Sequence, residues 1–402
     1  MASVKVERIA RPVAGFRAAG IHAGIKAQAK DLALIVCDEV ASVAAVFTRS
    51  SVVGAPVEVS RARVKRGRAR AVVVNSGCSN VAMGARGIRD AHTMARQAAK
   101  AIGCEESDVL IASTGVIGQP LPLEILKVGI PKAVAALSPD GMAEAAEAIR
   151  TTDTFAKLAS ARVRLGSETV TLQGIAKGAG MIEPNMATML SFLTTDAKVS
   201  PALLRKLLRR VVDATFNRLS VDGETSTSDS VMLFASGRAM RTTLRPGTAA
   251  AAQFEAALRA VCEDHVRQLA RDGEGATKLL LVDVRGARSA SEADRAARRI
   301  GNSMLVKTAV FGGDPNWGRI LQTIGAARIA WHPERTQIRV GGVPVFTRGR
   351  SAGPAARKRA EAALRAEEIE IRVDLGRGPG EARLFTCDLT YEYIRVNADY
   401  TT

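Results

Sequence analysis

The stretch Lys177-Gly178-Ala179-Gly180-Met181-Ile182-Glu183-Pro184-Asn185-Met186-Ala187-Thr188-Met189-Leu190 narrows the folding options of this chain more than any other segment. Gly174, Gly178, Gly180 and Pro184 fall within eleven residues, which asks for backbone shapes closed to most side chains. Immediately afterwards, Met189-Leu190-Ser191-Phe192-Leu193 has the length and composition of a buried strand. Thr188 stands at the junction, behind small Ala187. Two readings are open here. Thr188 is either a β-branched residue that opens a strand, or a hydroxyl placed to attack the peptide bond in front of it.

The 402 residues suffice for one large or two ordinary domains with a full core. With 47% hydrophobic and 24% charged residues the chain reads as soluble and globular, and 4% aromatics make the core mostly aliphatic. No apolar run approaches the roughly 18 to 20 residues needed to span a bilayer, and no secretory h-region is visible at the N-terminus. Cys37, Cys78, Cys104, Cys262 and Cys387 are odd in number and scattered without a Cys-x-x-Cys pair, which argues against a disulfide framework or a zinc site and leads to the expectation of a cytoplasmic protein. His22, His92, His265 and His332 are equally dispersed, and no Gly-x-Ser-x-Gly elbow occurs. A metal centre or a Ser-His-Asp triad has little raw material.

A net charge of +17 raises a nucleic-acid reading, best supported by the run 61–70 with six basic residues in ten. No aromatics interleave that run, so a stacking platform is missing, and basic residues are spread along the whole chain. A solvated arginine-rich surface that steers small anions explains the charge more simply.

In chain order, 32–37 and 43–48 read as strands flanking a turn, 71–74 as a buried strand and 86–102 as a helix with Ala91, Met94, Ala95 and Ala98 on one face. A strand at 109–112 runs into Ser113-Thr114-Gly115, followed by helices at 121–128 and 139–150 and a hairpin over 160–173. Ser200-Pro201 is an N-cap followed by proline at the first helical position. Further on come a strand at 231–234, a helix over 248–271, a strand at 278–284 and a helix through 291–310. Strands at 336–346, a helix at 354–366, and strands at 368–375 and 383–395 complete the chain. This alternation predicts an α/β or mixed α+β class, with a catalytic region over 1–284 and a smaller C-terminal α/β domain over 285–402.

Five polar or glycine-bearing stretches stand out in chain order: Ala112–Gly118, Thr151–Thr154, Lys177–Leu190, Asp222–Asp229 and Asp272–Lys278. In this order they resemble the ornithine acetyltransferase family of arginine biosynthesis, whose bifunctional members are also glutamate N-acetyltransferases. Leu305–Ala309, Gly313-Asp314-Pro315-Asn316-Trp317-Gly318-Arg319 and Ile394–Thr402 extend the likeness over nearly the whole chain. Two loops depart from the family pattern: Cys78 and Ser79 stand where Asn-Ala is usual, and Glu224 replaces an aspartate. Cys78 has no neighbouring base and is not read as a catalytic thiol.

The resemblance implies self-cleavage of the Ala187–Thr188 bond, an α chain of 1–187 and a β chain from 188, with Thr188 as the N-terminal nucleophile. A free α-amine on the same residue, with an ordinary pKa of about 7.7–8.0, can take the hydroxyl proton near pH 7. Thr114 and Gly115 carry over as the oxyanion hole. Thr154, Lys177, Thr188, Glu274, Asn397 and Thr402 carry over as substrate-binding residues. The implied reaction passes acetyl from N-acetylornithine to glutamate through acetyl-threonine, with acetyl-CoA as a second donor in a bifunctional member. No metal or held cofactor is implied, and the family assembles as α2β2. Two rivals stay open: an N-terminal-nucleophile aminopeptidase or amidase, and a basic nucleic-acid-binding protein on a degenerate enzyme fold.

Overall fold

The computed structural model describes residues 4–183 and 189–399, which fall into two compact units. The first comprises most of 1–269, and the second comprises 218–223 together with 270–401.

The first unit is built on β1 (Phe16–Ile21), β2 (Leu32–Phe47), β3 (Arg68–Cys78), β4 (Val109–Val116), β5 (Lys157–Leu165), β6 (Glu168–Lys177), β7 (Leu190–Thr195) and β8 (Ser230–Ala235). Its helices are α1 (Ala55–Arg63), α2 (Gly84–Ile102), α3 (Leu123–Ala135), α4 (Met142–Ala148), α5 (Pro201–Ala214) and α6 (Ala249–Arg271). The strands form one mixed sheet in the order β4-β3-β2-β8-β7-β6-β5, with β1 paired antiparallel to β2. Alternate residues of β2 serve two cores. Leu32, Leu34 and Val36 pack with Met94, Ala95 and Ala98 of α2 and with Leu126 and Ile130 of α3. Ala33, Ile35 and Cys37 pack with Met142, Ala145 and Ala146 of α4. A strand covered on both faces reads as one unbroken apolar run, as 71–74 and 109–112 do.

The 16 residues of β2 replace the two strands and turn expected at 32–48. Exposed Asp38, Glu39 and Val40 are a break in the register with β3 between Val36 and Ala41, so polar residues that mimic a turn belong to a bulge. The hairpin of β5 and β6 turns at Gly166, whose φ is +68°, longer than the expected 160–173 at both ends. Ser200 caps α5, its Oγ accepting from the Leu203 N–H at 3.4 Å, with Pro201 following. Gly174 of β6 lets α6 lie close: an added Cβ would stand 2.5 Å from the ring of His265.

The second unit holds β9 (Leu279–Ala287), α7 (Ala290–Gly301), α8 (Met304–Phe311), α9 (Trp317–Gly325), β10 (Gln337–Val340), β11 (Val343–Thr347), β12 (Arg350–Ser351), α10 (Pro354–Ala363), β13 (Glu368–Asp374), β14 (Gly380–Cys387) and α11 (Tyr391–Asp399). Its sheet runs β12-β11-β10-β13-β9-β14. Ala293, Ala296, Ala297 and Ile300 of α7 cover Val282, Val284, Ile371 and Leu384. The boundary suggested at 284/285 falls inside β9, the strand that holds β13 and β14 on either side. The single helix expected through 291–310 is two, because Ser303 starts α8 by accepting from Val306 N–H at 3.3 Å. The strand expected over 383–395 stops at Cys387. Asp388 accepts from the N–H groups of Thr277 and Lys278 at 2.8 and 3.0 Å, and the chain then turns into α11.

Candidate active site

The end of β4 lies alongside the end of β3, with Ser76 opposite Thr114 and Gly77 opposite Gly115 in parallel register. Gly115 has φ +126°, and a Cβ there would sit 2.4 Å from the carbonyl carbon of Gly77. Only glycine fits that contact. Ser113 Oγ donates to Asn75 Oδ1 at 2.6 Å and Asn75 Nδ2 donates to the Cys78 carbonyl at 2.8 Å, tying the two strand ends together. Thr114 is thereby fixed at the strand tip, almost buried.

Lys177, the last residue of β6, reaches across to it. Its Nζ donates to Thr114 Oγ1 at 3.4 Å and to Thr151 Oγ1 at 2.7 Å, and lies 4.0 Å from Asp153 Oδ2. Asp153 is the hub. Its Oδ1 accepts from Lys157 Nζ at 2.7 Å and from the Gly178 N–H at 2.6 Å, while Oδ2 accepts from the Thr151 N–H at 3.0 Å. The Lys157–Asp153 side chains are completely shielded from solvent. Burial alone would raise this carboxyl, but the charges of Lys157 and Lys177 and the bonds from Lys157 and Thr151 drive it well below the usual carboxylate range. Lys26 donates to the carbonyls of Arg150 and Lys30 at 2.6 and 2.9 Å, and burial lowers its ammonium to about 8.

Thr114, Lys177, Gly178, Gly180, Met181, Met189, Leu190, Ser226, Ser228 and Asp229 line one small cavity of this unit. Gly178, at φ +149°, brings its Cα face to within 3.3 Å (measured to an added Cβ) of the Met189 Cβ. Leu190 of β7 pairs with Lys177, and Ser230 N–H donates to the Met189 carbonyl at 3.0 Å. The Asp222–Asp229 loop is anchored by Glu183 N–H donating to the Glu224 carbonyl at 2.7 Å. Thr154 is exposed, next to the buried hub. Ala187, Thr188 and Thr402 lie outside the described residues.

In the second unit the structure brings Glu274 and Asn397 together: Asn397 Nδ2 donates to Glu274 Oε2 at 2.8 Å and to the Tyr393 carbonyl at 3.0 Å. Gly275, at φ +69°, allows the loop to press on the start of α11; a Cβ there would be 2.5 Å from the Tyr393 nitrogen. Thr390 Oγ1 closes this corner by donating to the Gly275 carbonyl at 2.6 Å.

Asp153 and Lys157 form a buried pair beside Lys177 that sequence reasoning passed over. Asp153 sat in a polar cluster that reads as a turn, and Lys157 opens a strand. The one available signal was an aspartate four residues before a lysine that opens a strand. Cys78 is buried, and its burial raises the thiol above its ordinary value, in keeping with an inert side chain. Among the described residues no cluster of His, Cys, Asp and Glu could hold a metal ion, and no helix is long and apolar enough to cross a membrane.

The ArgJ family model matches residues 17–402. The arginine biosynthesis bifunctional protein ArgJ of Symbiobacterium thermophilum is 48% identical over 394 residues, covering 97% of this chain and 97% of that protein. The protein of the same name from a Synechococcus strain is 47% identical over 398 residues, covering 96% of each. Among solved structures, the arginine biosynthesis bifunctional protein argJ of Bacillus halodurans is 42% identical with a TM-score of 0.49, covering 52% of this chain and 97% of that one.

Proposed function

The chain belongs to the ArgJ family, and from that premise we propose that it works by an acetyl-threonine intermediate on Thr188. It is a bifunctional acyltransferase of arginine biosynthesis, combining glutamate N-acetyltransferase and amino-acid acetyltransferase activities. The observation that supports the mechanism is the Thr114–Lys177–Asp153 cluster at the end of β6, with Thr114 and Lys177 lining one cavity with Met189, the residue that follows Thr188 in sequence.

The precursor cuts itself at that bond, freeing the α-amine of Thr188 and dividing the protein into an α chain of 1–187 and a β chain of 188–402. Thr188 Oγ then attacks the acetyl carbonyl of N-acetylornithine while the α-amine takes its proton. The tetrahedral oxyanion is held by the Thr114 hydroxyl and the Gly115 N–H. The C–N bond breaks, the proton passes to the departing amine, and ornithine leaves. The amine of glutamate attacks the acetyl ester, its proton returns to Thr188, and N-acetylglutamate is released. Acetyl-CoA loads the same threonine in the second activity.

Lys177 contributes a cation beside the reacting centre, held in place by Thr151 and by the ionised Asp153, and pairs with a substrate carboxylate. Thr154 lies on the same loop, and Thr402 is a further substrate contact. Glu274, held by Asn397, takes an ammonium group. The working assembly is an α2β2 heterotetramer in the cytoplasm.

Purified enzyme incubated with N-acetylornithine, with and without glutamate, tests this reading. Ornithine is expected to appear in a glutamate-dependent manner with one N-acetylglutamate per ornithine. Ornithine release at full rate without glutamate would make the protein an amidase instead.

A further inference from the structure

The basic run 61–70 is only partly absorbed by the fold. Arg63 pairs with Glu106 at 2.6 Å, and Arg66 and Arg68 share Asp108 at 3.1 and 3.3 Å. Arg61 and Lys65 have no acidic partner among the described residues. They line a cleft of about 330 Å³ together with Arg205 and Arg209 of α5, which likewise have none, over a floor that includes Val46 and Phe47. Each pair is spaced four residues apart, which places both cations of a pair on one side of their helical turn. The cleft therefore has two cationic walls and an apolar base.

The walls are fixed. Gly67, at φ +70°, passes so close to the start of α5 that an added Cβ would stand 2.6 Å from the Cβ of Pro201. The Arg61 guanidinium lies 5.8 Å from the centre of the Phe47 ring, and its Nη2 donates to the Thr48 carbonyl at 2.8 Å. Four like charges converge on one short cleft without an acidic partner among the described residues.

We propose that this cleft binds a small oligophosphate anion, a di- or triphosphate group either free or carried on a larger metabolite. Guanidinium forks match phosphate oxygens in pairs, and a lysine adds a point charge. A single carboxylate carries one charge and leaves three of the four cations uncompensated. Single-stranded nucleic acid is disfavoured because Phe47 is buried beneath Arg61 and offers no face for a base. A duplex needs a longer track of phosphate contacts, and the adjacent Arg63, Arg66 and Arg68 are tied up in ion pairs with Glu106 and Asp108.

Calorimetric titration of the intact protein at low ionic strength, with sodium tripolyphosphate and separately with magnesium-free ATP, tests the site. One-site binding that weakens with added salt is expected. The double variant Arg205→Ser, Arg209→Ser is expected to lose at least tenfold in affinity. The control double variant Lys206→Ser, Arg210→Ser on the same helix should change by less than twofold. Equal affinity for the two anions identifies free oligophosphate as the ligand, and tighter binding of ATP identifies a metabolite-borne group; either supports the site. If the first variant does not fold, Arg61→Gln with Lys65→Gln on the opposite wall provides the same comparison. No binding, equal effects of target and control substitutions, or displacement of tripolyphosphate by a short DNA duplex at lower concentration overturns the proposal.

Discussion

The two groups of residues proposed to handle substrate are built on opposite plans. Around Lys177 the charges are sunk in the protein. Asp153 and Lys157 are fully shielded, and strand ends, a backbone N–H and a threonine hydroxyl hold each atom. Around Glu274 the charge sits on a surface loop, and Asn397, its partner, is exposed on α11. Burial removes freedom and amplifies electrostatics, which suits groups that must meet a developing charge at a fixed point. An exposed pair in high dielectric contributes little to stability, which suits recognition of the variable end of a substrate.

That contrast can be broken most severely at Asp153. Replacing it with alanine leaves Lys157 buried without its carboxylate, and a loss of about 3–5 kcal/mol in urea unfolding is expected. A loss below about 1 kcal/mol would mean that the cluster is not the rigid element described. Thr114→Val removes a hydroxyl rather than a charge. The fold should survive, while kcat falls by about 10²–10³ at nearly constant KM; a change confined to KM would remove Thr114 from the oxyanion hole.

The buried side should also carry its own pH dependence. His265 is wholly buried on α6, and burial lowers its imidazolium to about 4 from the ordinary 6.5, with Lys157 adding to the effect. Between those values the unfolded chain binds the proton that the native state refuses. Stability therefore falls as pH drops from about 6.5 to about 4 and stops falling on this account below that. His265→Gln should flatten that part of a plot of urea midpoint against pH, and an unchanged slope would assign it to other groups. Glu274→Gln is the mildest test. Stability should move by no more than about 0.5 kcal/mol, while KM for one amino-acid substrate rises about tenfold, as expected for a lost charge-assisted contact of about 1.4 kcal/mol. A large drop in melting temperature would place Glu274 among structural residues.

What the sequence revealed of this fold follows from which interactions are local. Ser200-Pro201 marked the start of α5 because capping is settled within one turn. The apolar runs at 71–74 and 109–112 marked buried strands because both faces of the sheet are covered. Asp38-Glu39-Val40 misled, since a bulge exposes the same residue types as a turn. The segment after Cys387 misled too. Its alternating aromatic and polar residues resemble a strand, yet Asp388 ends β14 by binding the Thr277–Lys278 backbone over a hundred residues away in sequence. In the candidate site, Thr114, Gly115 and Lys177 were legible through their motifs. Asp153 was not, because its importance comes from Lys157, Lys177 and Gly178 converging on it, and nothing in a Thr-Thr-Asp-Thr run announces that.

The central claim is that Thr188 first cuts the chain and then carries the acetyl group, and mass measurement of the denatured, freshly purified protein tests it most directly. Two fragments divided at Ala187–Thr188 are expected from the wild type. The β fragment should gain one acetyl group on brief incubation with N-acetylornithine, and Thr188→Ala should give one intact, unacetylated chain. A single uncut chain in the wild type, or cleavage that persists in Thr188→Ala, would contradict it.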